Sequence, residues 1–275
     1  MQLGAIFVDH LVFNLELPKP DEEVIPGVLW GAMEAFPTPA YWAYQVYARR
    51  LHGERINYKL GATLKEEVGA CLLGGHGIPS TVGLAAFEHV KAHGAFDAEP
   101  PCEQDLLEWL YEPIALDGRK VRYRFAKQKA RYLAAALQRL TVDAAPTHSG
   151  RALRDWLLDI PGIGYKTASW IARNWLDADD VAILDIHILR AGLLGKFFES
   201  HLTVERHYLQ LEEQFLRFSK GLGVKASELD ALIWLEMMSL PQTVHSIMGL
   251  GHASTDSGRR SNKSKANANQ LSLIG

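Results

Sequence analysis

Arg154-Asp155-Trp156-Leu157-Leu158-Asp159-Ile160-Pro161-Gly162-Ile163-Gly164-Tyr165-Lys166-Thr167-Ala168-Ser169-Trp170-Ile171-Ala172-Arg173 is the stretch whose reading decides the fold. Leu157 and Ile160 close one short helix, Pro161-Gly162 makes the turn, and Ile163 plugs a hairpin between two glycines. Gly164 opens a second helix, in which Ala168, Ile171 and Ala172 recur at spacings of three and four and share the face toward the first. The first-turn amides of a helix have no partner inside it and carry the positive end of its dipole. With the amides of Gly162, Ile163 and Gly164 they point outward, a geometry that holds a phosphate without a basic side chain.

Working outward, Val181 to Leu184 reads as extended chain, and Asp185 suits the N-cap of a helix over Ile186 to Leu194. Asp177, Asp179 and Asp180 read as a solvated turn. Upstream, Thr38-Pro39 opens an aromatic helix that runs to Leu51, with Gly53 beyond it. Lys65 to Leu73 and Thr81 to Ala92 are two further helices, separated by the glycine-rich break Gly74-Gly75-His76-Gly77-Ile78-Pro79. Such a break exposes backbone and suits a loop that approaches something closely. Lys127 to Leu140, Val204 to Phe218 and Ser227 to Met238 complete the amphipathic helices. Strands are scarce, with Gly4 to Phe13 the best candidate, and no repeat is visible. The expected fold class is all-α.

With 275 residues and 48% hydrophobic content the chain can bury one large core or two modest ones. No apolar run approaches the roughly 20 residues that cross a bilayer, and Met1 to His10 lacks the basic head and cleavage site of a signal peptide. A cytoplasmic location is expected, on the nucleoid in a bacterium, with no membrane partner. Cys71 and Cys102 are too few for a disulfide framework, a four-cysteine zinc site or an iron–sulfur cluster, so no metal or cofactor is expected. A net charge of −3 argues against a nonspecific polyanion binder. Charge is unevenly spread, however: Arg119 to Arg131 carries seven cations and no acid, whereas every charge from Asp97 to Glu112 is acidic. The basic run is either a solvated face or, with Tyr123, Phe125 and Tyr132 interleaved, a segment facing nucleic acid. From Gly251 to Gly275 the composition turns to Ser, Asn, Lys, Arg and Gly, which predicts a disordered tail.

The hairpin, followed by Val181-Ala182-Ile183-Leu184-Asp185-Ile186-His187, resembles the helix-hairpin-helix DNA glycosylase superfamily that includes endonuclease III and the 8-oxoguanine DNA glycosylases. The likeness extends more loosely from about Glu66 to Met238 and leaves the N-terminal segment, 1–60, and the tail uncovered. Endonuclease III binds a cluster through four C-terminal cysteines that this chain lacks. Gly162-Ile163-Gly164-Tyr165-Lys166, Tyr123-Arg124-Phe125 and Leu229-Asp230-Ala231-Leu232-Ile233-Trp234 look instead like the clusterless 8-oxoguanine branch.

The resemblance implies a two-lobed helical fold with the active site in the interlobe cleft, in which residues 1–60 pack with 195–250 and residues 61–194 form the lobe carrying the hairpin at 151–176. It implies a bifunctional glycosylase/AP lyase that removes an oxidised purine from duplex DNA, acting as a monomer. Lys166 would be the nucleophile, with the helix dipole favouring its neutral amine, and Asp185 the carboxylate that stabilises positive charge on the sugar. His187 would contact phosphate and His76 would sit at the wedge position of the glycine-rich loop. Trp170 follows Lys166 by one helical turn and Trp234 follows Asp230 by one turn, so the tryptophans could bracket a flipped base while Asp230 accepts from guanine's N–H edge. Equally, Ser227-x-x-Asp230 reads as a capping pattern and both tryptophans as core. A glycosylase for another modified base and a noncatalytic helix-hairpin-helix DNA-binding protein remain the alternative readings.

Overall fold

The computed structural model describes residues 1–53, 59–75 and 77–239; His76 and the segment expected to form a tail lie outside them. The chain is helix-dominated, and its described residues divide into two compact units, 1–53 with 179–239, and 59–178. No helix among them is long and apolar enough to cross a membrane.

The first unit opens with an antiparallel hairpin, β1 (Gln2–Val8) and β2 (Leu11–Leu17), where a single strand was expected. Asp9 takes φ +53°, a left-handed conformation that Asp tolerates, and this reverses the chain so that Val8 pairs with Leu11. A second short pair, β3 (Glu23–Ile25) with β4 (Val28–Leu29), follows. The Gln2 side-chain amide ties the two pairs together: it donates to Pro18 O (2.8 Å) and Gly31 O (3.0 Å) and accepts from Met33 N (2.9 Å). Thr38 caps α1 (Pro39–Leu51) as the sequence indicates, through Tyr41 N. From the distal part of the chain come α8 (Ile186–Leu194), α9 (Val204–Leu222) and α10 (Ala226–Ser239). Trp30, Met33, Trp42 and Val46 from the N-terminal part of the unit share one core with Phe197, Phe215, Phe218 and Ile233.

The second unit contains α2 (Leu64–Leu73), α3 (Ser80–Ala92), α4 (Glu103–Tyr111), the hairpin β5 (Ile114–Leu116) and β6 (Arg119–Val121), then α5 (Ala126–Val142), α6 (Gly150–Leu157) and α7 (Tyr165–Leu176). Helix α4 was not expected within the acidic stretch. Its N-cap is a cysteine, whose Sγ accepts from Asp105 N while the Asp105 carboxylate accepts from Cys102 N, a capping box in an unusual residue type. Its Leu106 and Leu110, four apart, are fully buried.

The change of unit falls at 178/179 rather than at the expected 194/195. Helix α7 ends with Asp177 at φ +51° and Ala178 N bonded back to Arg173 O (3.2 Å), whereas Ala182 and Ile183 in the chain that follows are bonded to α9 and α10.

Glu67, fully buried on α2, organises the start of the second unit. One carboxylate oxygen accepts from Leu60 N (2.7 Å) and Gly61 N (2.8 Å), and the other faces Asn174 Nδ2 of α7 (3.4 Å). Burial holds this carboxyl above its ordinary range, opposed by the two amides. The folded state therefore binds the proton more tightly than the unfolded chain, and Glu67 adds stability as pH falls through its folded value toward the ordinary one. We expect urea denaturation to show the wild type gaining on Glu67→Gln as pH is lowered from neutral toward the ordinary carboxyl range. Glu67→Ala, which strands two amides, should lose about 1–3 kcal/mol at neutral pH. Equal pH profiles for wild type and Gln variant would contradict this account.

Candidate active site

The hairpin is built as the sequence reads. Ser149 caps α6 through Ala152 N (3.1 Å), Ile160 N bonds to Leu157 O (3.0 Å), and Ile163 N bonds to Ile160 O (3.1 Å). Ile163 is buried beneath the turn, and its amide is spent on Ile160 rather than offered outward. The first backbone bond of α7 runs from Ala168 N to Gly164 O (2.9 Å), and no side chain caps this helix. The amides of Gly162 and Gly164 have no acceptor among the described residues. These glycines differ in kind. Gly162 has φ +86°, and an added Cβ would lie 2.2 Å from Tyr132 Cδ2; Gly164 has φ −102°, and its Cβ would meet nothing within 4 Å. Gly162 is required by the fold, whereas Gly164 leaves open space at the mouth of the helix.

Lys166 is the second residue of α7 and half-buried. Trp170, one turn on, is also half-buried, and its Nε1 is buried without a hydrogen-bond partner among the described residues. An indole N–H in that condition is costly.

In the first unit, Asp185 is buried and caps α8: its Oδ1 accepts from His187 N (2.8 Å) and Ile188 N (3.1 Å). The three residues before it belong to no strand or helix, so their amides must find other acceptors. Ala182 N donates to Glu212 Oε1 (3.0 Å), Ile183 N to Asp230 Oδ2 (3.1 Å), and Leu184 N to Tyr208 OH (3.1 Å), which itself donates to Ala182 O (2.8 Å). Glu212 and Tyr208 of α9 were not singled out from the sequence. A buried acid on an amphipathic helix is the signal that could have marked Glu212. Asp230 is 2% exposed, with one oxygen committed to backbone, and this places it as a support of the Asp185 segment.

Ser227 is not a cap for α10 through Asp230. It lies inside the helix, and Asp179 instead accepts from both its amide (3.0 Å) and hydroxyl (2.6 Å), so Asp179 is a helix-terminus acceptor and not merely a solvated turn. Trp234 is half-buried against the first unit's core, its ring edge-on to His187 at 6.4 Å.

The basic segment is mixed. Arg119, Lys120, Arg124, Lys127 and Arg131 are exposed, as is Arg122, but Lys129 is turned inward and donates to Leu72 O (2.6 Å) and Gly74 O (2.9 Å). Tyr123 does not face outward either: it is buried, and its hydroxyl donates to Leu73 O. These two side chains serve the last carbonyls of α2 and anchor the root of the glycine-rich loop, where Gly75 and Gly77 have φ +107° and +78°. The suggested wedge residue, His76, lies outside the described residues.

A helix-hairpin-helix followed by a capped buried aspartate defines the class, and likeness to known proteins narrows it. Residues 88–224 match the family model described as 8-oxoguanine DNA glycosylase. The chain is 33% identical over 117 residues to an 8-oxoguanine DNA glycosylase/AP lyase of Methanocaldococcus jannaschii, covering 41% of this chain and 56% of that one. A relative of the same name from Metallosphaera sedula is 30% identical over 153 residues, 51% of this chain and 71% of its own. A crystal structure of the M. jannaschii enzyme shares the fold with a TM-score of 0.54 at 24% identity, over 73% of this chain and 94% of that one. The chain belongs to the 8-oxoguanine DNA glycosylase family. It spans under three fifths of the length of its M. jannaschii and Saccharolobus islandicus relatives, 56% and 58%.

Two outcomes follow from this geometry. Gly164→Ala should fold with unchanged thermal stability yet bind undamaged duplex more weakly, because its methyl occupies the space before the hairpin amides; Gly162→Ala should be destabilised by about 1–2 kcal/mol from its φ alone. Duplex affinity at wild-type level in a folded Gly164→Ala protein would take the hairpin away from the DNA. Asp230→Asn keeps an acceptor for Ile183 N, so a supporting role predicts near-normal stability and excision, while Asp230→Ala loses both. If Asp230 instead reads the base, Asn should depress base excision and spare cleavage at a preformed abasic site.

Proposed function

We propose that the chain is a bifunctional DNA glycosylase/AP lyase that excises an oxidised purine, 8-oxoguanine foremost, from duplex DNA. The observation that carries this reading is the uncapped helix start at Gly164 with Lys166 at its second position, followed in the chain by an aspartate held rigid by two amides of α8. The hairpin donors hold a backbone phosphate and so position the duplex without reading its sequence. The base to be removed leaves the stack, and Trp170 and Trp234 are the side chains proposed to stack on it.

Departure of the base leaves positive charge on the sugar, and the Asp185 carboxylate stabilises it. The amine of Lys166 attacks the anomeric carbon, so the C–N bond to the base breaks as the C–N bond to lysine forms, and the base leaves with the electron pair and takes up a proton. Ring opening gives a Schiff base, whose electron sink permits loss of a proton from C2′ and β-elimination of the 3′ phosphate. Hydrolysis then returns the lysine. His187, whose amide is one of the two that fix Asp185, is proposed to meet a neighbouring phosphate with its ring.

Lys166→Gln should abolish borohydride trapping and strand cleavage while keeping most of the affinity for a lesion duplex, since the hairpin donors remain. Asp185→Asn should keep the cap, because Asn serves that position as well as Asp, and lose excision by orders of magnitude. Wild-type trapping by Lys166→Gln would remove this lysine from the chemistry, and the noncatalytic DNA-binding reading would stand if neither wild type nor variants cleaved any lesion in a panel of defined duplexes.

A further inference from the structure

Outside the hairpin and the Asp185 segment, one cluster in the second unit has the composition and spacing of a metal site. His89 lies in the last turn of α3 and His93 is that helix's C-cap; Glu112 is the C-cap of α4. The nearest donor atoms of the three lie within 4.8 Å of one another. Glu112 Oε2 is 3.2 Å from His89 Nε2 and 3.6 Å from His93 Nε2. With metal–ligand bonds of about 2.0–2.1 Å, neighbouring ligand atoms of a tetrahedral zinc stand about 3.3 Å apart, so the two separations to Glu112 need little adjustment, while the two histidines lie within 4.8 Å of each other.

Two details concern which atoms face the common point. The His93 Nδ1 lies 2.9 Å from His89 O, a carbonyl that can only accept, so in the neutral ring the proton sits on Nδ1 and the Nε2 lone pair faces the cluster. This is the arrangement by which a backbone carbonyl orients a metal-binding imidazole. His89 Nε2 is buried and, despite its 3.2 Å approach to Glu112, makes no hydrogen bond: the alignment is wrong for donation to the carboxylate. A buried polar nitrogen without a hydrogen bond is uncommon and calls for a partner of another kind. The Trp109 ring stacks on His93 at 5.1 Å and 28°, limiting its rotation. Both helices end here, and their C-terminal dipoles favour a cation.

We propose that His89, His93 and Glu112 bind a divalent metal of zinc's type, with water in the remaining position, and that the ion clamps the C-terminal ends of α3 and α4. Two imidazoles and a carboxylate match zinc's preference, and the i, i+4 spacing of the histidines puts both on one helical face. The side chains keep 20%, 31% and 48% of their exposure, so an ion can reach them. None of the three belongs to the machinery proposed for base excision.

The test uses the full chain stripped of metal with a chelator, then dialysed against zinc chloride and assayed for bound metal and thermal stability. One zinc per chain is expected, with a rise in melting temperature of about 5 °C or more at saturation. Cobalt in its place should give the intense visible bands of a four-coordinate ion. His93→Ala and Glu112→Gln alter partly exposed side chains that leave the core intact, and each should weaken zinc binding at least about tenfold and abolish the cobalt bands. Failure of the wild type to retain zinc, or equal retention by both variants, would overturn the site and leave the cluster as an ordinary histidine–carboxylate pairing.

Discussion

Residues 182–184 impose the demand around which the first unit is arranged. A largely buried segment outside any sheet or helix carries amides that burial forbids to remain unpaired, and here each takes a side-chain acceptor: Glu212, Asp230 and Tyr208. These acceptors come from two helices well downstream in the chain, so α9 and α10 must both be in place before the segment is satisfied. The result is a fixed approach to Asp185. Its carboxylate is then locked by two amides on one oxygen.

The second unit presents the opposite case, since the hairpin leaves two amides without an acceptor among the described residues. It does so by dividing the work among three successive turn residues. Gly162 permits a left-handed turn against the Tyr132 ring, Ile163 closes the turn from beneath and spends its own amide there, and Gly164 leaves the helix mouth open. A related division holds at the end of α2, where the Lys129 ammonium and Tyr123 hydroxyl take up the terminal carbonyls. Burial lowers the affinity of Lys129 for its proton, so this cation is held by those carbonyls at some cost in desolvation. The glycine-rich loop beyond it therefore starts from a fixed root.

The N-terminal segment, 1–53, stands outside the span matched by the family model, yet it is not an appended domain. Trp30, Trp42 and Val46 lie in the same core as Phe215 and Phe218, which belong to the helix that supplies Tyr208 and Glu212. Gln2 fastens the leading hairpin to this core through three backbone groups. The N-terminal segment thus contributes packing to the element that supports Asp185.

What the sequence determined by itself is local. The Thr38 and Asp185 caps, the α6–turn–α7 hairpin and the apolar faces of most helices follow from neighbouring residues at fixed spacings, and those spacings also carried the family likeness. Where local chemistry was unusual it was missed, as with the cysteine cap of α4 and the Asp9 turn that splits one expected strand into two. The tertiary structure decided matters in which one partner lies far along the chain. It turned Tyr123 and Lys129 from a basic stripe into supports for α2, made Asp179 the acceptor for α10, and gave Asp230 to Ile183. It also brought Glu112 to His89 and His93. Periodicity reports which face of an element is buried, but a hydrogen-bond partner is chosen by three-dimensional proximity, and spacing along one helix holds no information about the side chain that another helix brings to it.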